Sequence, residues 1–235
     1  MSLENLCFVT MLAAMVAFPA AKTSEIGTRQ SDTRPPNSST IKIPSAVFLP
    51  VQSKDPSGLG LGKLLVASRG LGDPNFAGTV ILLVHYDTTG VIGLMLNRRT
   101  DLPVSRVLTQ FKAAKDLSDP VYLGGPVETP TVFALLRSPD KFDGAEHVFG
   151  GVYWISSKTA LEKTISSHPK PGDFHVYLGY AGWTADQLTT EVKLGAWFVF
   201  PADPQTIFNA NPDSLWREMI KKTELQMAEH APTRF

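Results

Sequence analysis

Apolar residues along this chain come in short runs broken by glycine, proline and polar turns, and the spacing of the runs changes along its length. From residue 63 to residue 97 the pattern is that of strands. Leu64-Leu65-Val66-Ala67 is one short run; Thr79–Tyr86 and Val91–Asn97 are two longer ones, separated by Asp87-Thr88-Thr89-Gly90. Two near-continuous apolar runs joined by four turn-type residues predict a β-hairpin, with Gly90 free to take a positive φ. The lack of alternation predicts that both faces of this hairpin are covered. After Pro103 the period lengthens. Val104, Val107, Leu108 and Phe111 fall at i, i+3, i+4 and i+7, which predicts a helix opened by the proline.

Further strands are predicted at Val121–Leu123, Val132–Leu136, Val152–Ile155, Phe174–Tyr180 and Trp197–Phe200. Thr159 with Glu162, and Thr184 with Gln187, have the spacing of a capping box, so helices are expected after both threonines. The second runs through Leu188 and Val192 to a stop at Gly195. Asp203-Pro204 and Asp213 predict two terminal helices, the last carrying Leu215, Trp216, Met219 and Ile220 on one side. A hairpin and strands interspersed with helices favour an α+β fold over a doubly wound sheet.

The N-terminal quarter reads differently. Phe8–Ala21 is an apolar run of signal-peptide length, too short for a membrane span, and residues 1–21 are expected to be a cleaved export signal. Residues 22–61 are rich in Ser, Thr, Pro and Gly and read as a flexible tether, with an apolar patch at Ala46–Val51. The folded domain is then 62–235, and no transmembrane span is expected in the mature chain. An exported location, periplasmic or extracellular, follows if the signal is real.

Composition narrows the function. Hydrophobic residues at 43% and charged residues at 19% exclude a wholly disordered chain. Lys+Arg 22 against Asp+Glu 22 leaves no net charge, so nucleic acid is not an expected partner. The single cysteine, Cys7, excludes an internal disulfide or a cysteine cluster. There is no G-x-S-x-G elbow, P-loop, H-E-x-x-H or EF-hand loop. Gly58-x-Gly60-x-Gly62 precedes a strand instead of opening a helix, so it lacks the geometry of a dinucleotide loop. No metal site or cofactor is expected. Of the five histidines, His85 and His175 lie in apolar strands; a hydrogen-bonded structural role is the ordinary one for both.

What stands out is glycine beside aromatic residues at strand ends. Gly124-Gly125-Pro126 follows one strand, where two glycines permit close backbone approach and positive φ. Gly179-Tyr180-Ala181-Gly182-Trp183 follows another and reads as a turn into the helix after Thr184. Tyr180 and Trp183 either seal the core edge there or face a ligand.

In these residues the chain resembles the AlgH/YqgE family of bacterial proteins. The resemblance is carried in order by Gly62–Ala67, Asp73-Pro74-Asn75-Phe76, Gly90–Arg98, Gly124-Gly125-Pro126-Val127, Gly179–Trp183, Gln187-Leu188 with Glu191, Gly195-Ala196-Trp197 and Leu215-Trp216-Arg217. It implies a single domain with a branched, partly barrel-like sheet surrounded by helices, and a cytosolic location as the alternative to export. It implies no known reaction, although some members are described as transcriptional regulators. The chain departs from the pattern at Arg99, where a proline is expected, and at Asp186 and Thr189 beside Gln187-Leu188. It also has Leu136 where members often carry a histidine, so a catalytic histidine there is excluded for this chain.

Two functions of different class follow, with a third, transcriptional regulation by DNA binding, disfavoured by the zero net charge. One is a non-catalytic binding or regulatory domain for a small molecule or protein, using a cleft near Asn97, Arg98, Gly124, Gly125, Tyr180 and Trp183. The other is an enzyme of unassigned class, with His85 or His175 as acid/base and Asn97 or Arg98 steadying an anion. The export reading is checked by intact-mass measurement on protein from fractionated native cells. A mature N-terminus between Ala20 and Ser24 is expected; a full-length cytosolic product contradicts it.

Overall fold

The computed structural model describes residues 56–229. The expected signal and most of the expected tether lie outside the described residues. Within the last part of that tether, Pro56–Gly58 form a 3-10 turn and Leu59 packs against the core.

The elements in chain order are β1 (Lys63–Ala67), β2 (Val80–Tyr86), β3 (Val91–Met95), β4 (Arg99–Pro103), α1 (Val104–Val107), β5 (Pro120–Leu123), β6 (Val127–Arg137), β7 (Glu146–Phe149), β8 (Val152–Ile155), α2 (Lys158–Ser166), β9 (Phe174–Trp183), α3 (Ala185–Lys193), β10 (Trp197–Pro201), α4 (Pro204–Phe208) and α5 (Pro212–Glu229). The strands form one curled, half-barrel sheet in the order β10-β1-β2-β3-β9-β6-β8-β7, every neighbour along it antiparallel. The fold is α+β, as the pattern predicts.

The sheet branches at β9. β6 lies along one edge of it. The other edge is shared: Val176–Leu178 pair in parallel with β5, and Ala181–Trp183 pair antiparallel with β3. β4 then hangs from β5 alone. Consequently the three residues between β5 and β6 carry the chain across the face of β9, from one edge to the other. A Cβ built on Gly124 would stand 2.3 Å from the carbonyl oxygen of Gly179, and one on Gly125 would stand 2.1 Å from the carbonyl carbon of Tyr180. Only glycine permits that approach. The crossing is stitched by Gly124 N–H donating to Leu178 O at 2.7 Å and Met95 N–H donating to Gly124 O at 2.9 Å. Gly179 contributes in another way, bending β9 at φ +69 opposite the register break between Val127 and Val132.

Three apolar clusters cover the sheet. α4 and α5 lay Ile207, Phe208, Leu215, Met219 and Ile220 over one face, against Leu64, Leu82, Leu94, Phe133 and Tyr177. Leu161 and Ile165 of α2 join Val104, Leu108 and Phe111 over Val121, Ala134 and Val176. α3 places Leu188 and Val192 beside Trp183 and Trp197. β2 is buried from both sides, Leu82 in the first cluster and Ile81 and Leu83 in the third, which explains its unbroken apolar run.

Several local expectations are corrected. The helix after Pro103 is a single turn: Leu108 leaves helical geometry at φ −98, ψ 40, and Phe111 is extended, yet Val104, Leu108 and Phe111 are all buried. Pro103 itself is extended because it ends β4. Ser157, not Thr159, caps α2 by accepting from Ala160 N–H. Asn211, not Asp213, accepts at the start of α5. Gly90 has no positive φ, because Asp87 Oδ1 shapes that turn by accepting from Thr89 and Gly90 N–H. Gly124 and Gly125 need close approach but not positive φ. Gly179–Trp183 is no turn; it is the second half of β9.

The crossing makes a sharp forecast. Gly125→Ala is expected to cost about 3 kcal/mol or more, because backbone and not a movable side chain stands in the way. Gly60→Ala meets nothing within 4 Å and is expected to stay within about 0.5 kcal/mol of wild type. Thermal melts of the two variants decide it; equal melting temperatures would remove the steric argument.

Candidate functional site

The structure distributes the six residues singled out by sequence over two faces of the sheet. Asn97 is a rivet: its Oδ1 accepts from Val80 N–H at 2.9 Å and its Nδ2 donates to Gly78 O at 2.9 Å. Arg98 adds Nη2 donating to Ala77 O at 2.8 Å, while its own carbonyl accepts from Leu123 N–H. Together they fasten the loop before β2 to the end of β5. Gly124 and Gly125 lie on the backbone of Gly179 and Tyr180, as described. Tyr180 is half-buried with its ring edge-on to Phe133 at 5.8 Å, and burial, assisted by the charge of Glu128, raises its phenol above the ordinary value.

Trp183 points the other way. Three residues along a strand reverse the face, so Tyr180 and Trp183 cannot line one cleft. Trp183 is 2% exposed, with Phe76 at 5.8 Å and Trp197 edge-on at 6.0 Å. Its indole N–H donates to Glu191 Oε2 at 3.1 Å, the same oxygen accepts from Trp197 Nε1 at 2.8 Å, and Gln187 Nε2 donates to Oε1 at 3.0 Å. One carboxylate thus satisfies two buried indoles through charge-assisted bonds. Residues from four of the resemblance segments meet at this point, and what they build is packing.

The histidines divide. His85, at the end of β2, has Nε2 at 3.0 Å from Asp87 Oδ2. The Asp87 carboxyl is held down at about 2, first by the Thr89 hydroxyl and then by the Thr89 N–H. His147 is exposed against Tyr153, and His230 lies outside the described residues. His175 is the distinctive one. It stands in a column of rings: Tyr177 to Tyr122 at 5.4 Å, Tyr122 to His175 at 5.1 Å, His175 to Phe208 at 5.2 Å, with the Arg137 guanidinium 5.2 Å from the Phe208 ring. Arg137 is bound to Asp173 at 2.5 Å and to Asn209 Oδ1 at 2.7 Å.

Three polar atoms in this layer are buried without a hydrogen-bond partner: Trp154 Nε1, His175 Nδ1 and Tyr177 OH. Burial pushes the His175 imidazole down to about 4, against the opposing charges of Asp119 and Asp173 and with a smaller push from Arg137, so it is neutral at pH 7. Among the described residues no three His, Cys, Asp or Glu side chains gather as a metal group. Sequence reasoning noticed His175 but not its neighbours. Tyr122, Trp154 and Tyr177 come from three different strands, and only the pairing registers bring them to His175.

Comparison with known proteins is decisive on ancestry. The family model described as AlgH-like, DUF179, matches residues 64–228. The chain belongs to the AlgH-like family. A UPF0301 protein of Chlorobium luteolum is 32% identical over 177 residues, covering 74% of this chain and 92% of that one. Among solved structures, AlgH of Pseudomonas aeruginosa, also UPF0301, superposes with a TM-score of 0.57 at 28% identity, over 74% of this chain and 95% of that one. Protein DIP2367 of Corynebacterium diphtheriae shares the fold at TM-score 0.58 and 22% identity, over 70% and 87% of the two chains. The AlgH-like resemblance therefore holds, and with it a family whose biochemical activity is undefined.

The buried imidazole predicts a pH dependence. In the unfolded chain a histidine binds its proton near pH 6.5; in the fold His175 does so near pH 4. Between these values the unfolded state holds the extra proton, so stability rises with pH. It is complete above about 6.5 and falls by up to about 3 kcal/mol as pH drops to 4. Urea denaturation from pH 7 to 4 should show this slope in wild type and a flatter one in His175→Gln; parallel curves would contradict it.

Proposed function

We propose that this AlgH-like chain is a non-catalytic binding domain with a regulatory role, taking a small molecule or a protein partner. The observation that carries the reading is the state of its strand-borne histidines. His175 is neutral, ring-packed and without a hydrogen-bonded base or orienting group. A general acid/base needs a partner that fixes its proton, and a nucleophile within reach. What the layer around His175 offers instead is unspent hydrogen-bonding capacity in an apolar setting, the usual composition of a binding site.

The enzymatic alternative keeps one supporting observation, the His85–Asp87 pair at the surface, which is an oriented imidazole. Regulation by direct DNA contact is disfavoured by the zero net charge. No described helix is long and apolar enough to cross a membrane.

Protein recovered from native cells without denaturation, and analysed by native mass spectrometry, is expected to carry a stoichiometric molecule or partner that is released chemically unchanged. His85→Ala should retain it. Release in altered form, with the alteration lost in His85→Ala, would establish the enzymatic alternative instead.

A further inference from the structure

The ring layer of His175 is filled by its own side chains, and the open space lies next to it, where β6 ends and β9 begins. A cleft of about 220 Å³ runs there between two loops. One loop follows β6 and brings Ser138, Pro139 and Phe142 to the cleft. The other joins α2 to β9 and brings Ser167, Pro169, Lys170 and Asp173. Leu136 and Arg137, the last residues of β6, complete the lining.

Both walls are fastened by the chain itself. Ser138 N–H donates to Gly151 O at 2.9 Å, and its hydroxyl donates to Asp140 O and accepts from Asp140 N–H. Across the cleft, Asp173 N–H donates to Lys170 O at 3.0 Å, and Arg137 N–H donates to Asp173 O at 2.8 Å. His168, between two lining residues, holds φ +52, the left-handed conformation that usually falls to glycine after a helix. Pro139 and Pro169 fix one backbone angle in each loop. Walls set in advance reduce the ordering cost of binding. The bed of the cleft is apolar: Leu136 is buried, Phe142 is half-buried, and two proline rings flank them. Its polar groups are mostly committed. Arg137 is bound to Asp173 Oδ1 and Asn209 Oδ1, and the Ser167 hydroxyl donates to Thr164 O at 2.7 Å. Lys170 is the exception. It is exposed and, among the described residues, its ammonium meets no carboxylate. Two cations and one carboxylate leave the lining one positive charge in excess.

We propose that this cleft is a binding site for a small monocarboxylate with an apolar body. The body lies on Leu136, Phe142 and the two prolines, and the carboxylate faces Lys170. A dianion would leave one charge unanswered. A cation would be repelled by Lys170 and would find the one carboxylate of the lining already engaged by Arg137. The volume is below the roughly 300–1,000 Å³ of sites for drug-sized ligands, which selects a fragment-sized body. This assignment rests on the binding-domain reading and names its ligand class.

Benzoate is the probe, with benzamide and benzylamine as neutral and cationic counterparts of similar shape. In proton–nitrogen correlation spectra of the labelled full-length protein, benzoate is expected to move the amide signals of Ser138, Phe142 and Lys170 saturably, with half-saturation at about 1–10 mM. The indole signals of Trp183 and Trp197, both held by Glu191, should stay in place. Benzamide and benzylamine should bind more weakly than benzoate. Lys170→Gln should weaken benzoate binding about fivefold, the upper range for an exposed ion pair, and Lys170→Arg should retain it. Three amides unmoved by benzoate at about 30 mM, equal binding of benzamide or benzylamine, or a Lys170→Gln variant that binds as wild type does, each overturns the proposal. Any of these would leave the binding-domain reading intact if native protein still released an unchanged molecule of another class.

Discussion

Two backbones pass each other at contact distance where the chain leaves β5, crosses β9 and becomes β6. Everything distinctive about the fold follows from that passage. It lets one strand, β9, be paired by β6 on one edge while β5 and β3 share the other. It therefore makes the sheet branch, and it brings Tyr122, Tyr177, Phe133 and His175 into adjoining rows on one face. No side chain could sit at the passage. A single Cβ there would lie 2.1–2.3 Å from main-chain atoms, well inside van der Waals contact, and main chain held in a sheet has little room to retreat.

The same logic reassigns the family's recurrent motifs. The glycines before Pro126 and the Gly179–Trp183 segment look from sequence like a ligand cradle, because glycine beside aromatics has that use elsewhere. Here they are the crossing, and Trp183 is the pillar of the opposite face, tied with Trp197 to Glu191. Asn97 is a loop rivet. A charged carboxylate accepting two indole bonds offsets much of its own desolvation, since each such bond is worth about 1.5–3 kcal/mol. These residues build the scaffold on which a site can stand.

Much of the fold was legible in sequence because apolar runs report burial directly. β2, β3, β8 and α3 fall where the pattern puts them, with Thr184 accepting from Gln187 N–H. β4 and β7 were not legible: one is exposed Arg-Thr-Asp-Leu-Pro at an edge, the other has a single buried residue, Val148, so neither has an apolar signature. The helix after Pro103 was over-read because Val104, Leu108 and Phe111 are buried by a turn and an extended residue as well as by a helix would bury them. The aromatic layer was invisible for a deeper reason. Its members are distant in sequence, and only the crossing determines which strands are neighbours.

The claim that the passage at β9 holds the fold together is tested most directly by native-state hydrogen exchange at two amides, Gly124 N–H, bonded to Leu178 O, and Met95 N–H, bonded to Gly124 O. If the crossing is the constraint, both exchange only through global unfolding, with a free energy equal to that of the whole domain and the same dependence on denaturant. Exchange of these two amides through a small local opening, while those of β2 and β3 stay protected, would contradict the account.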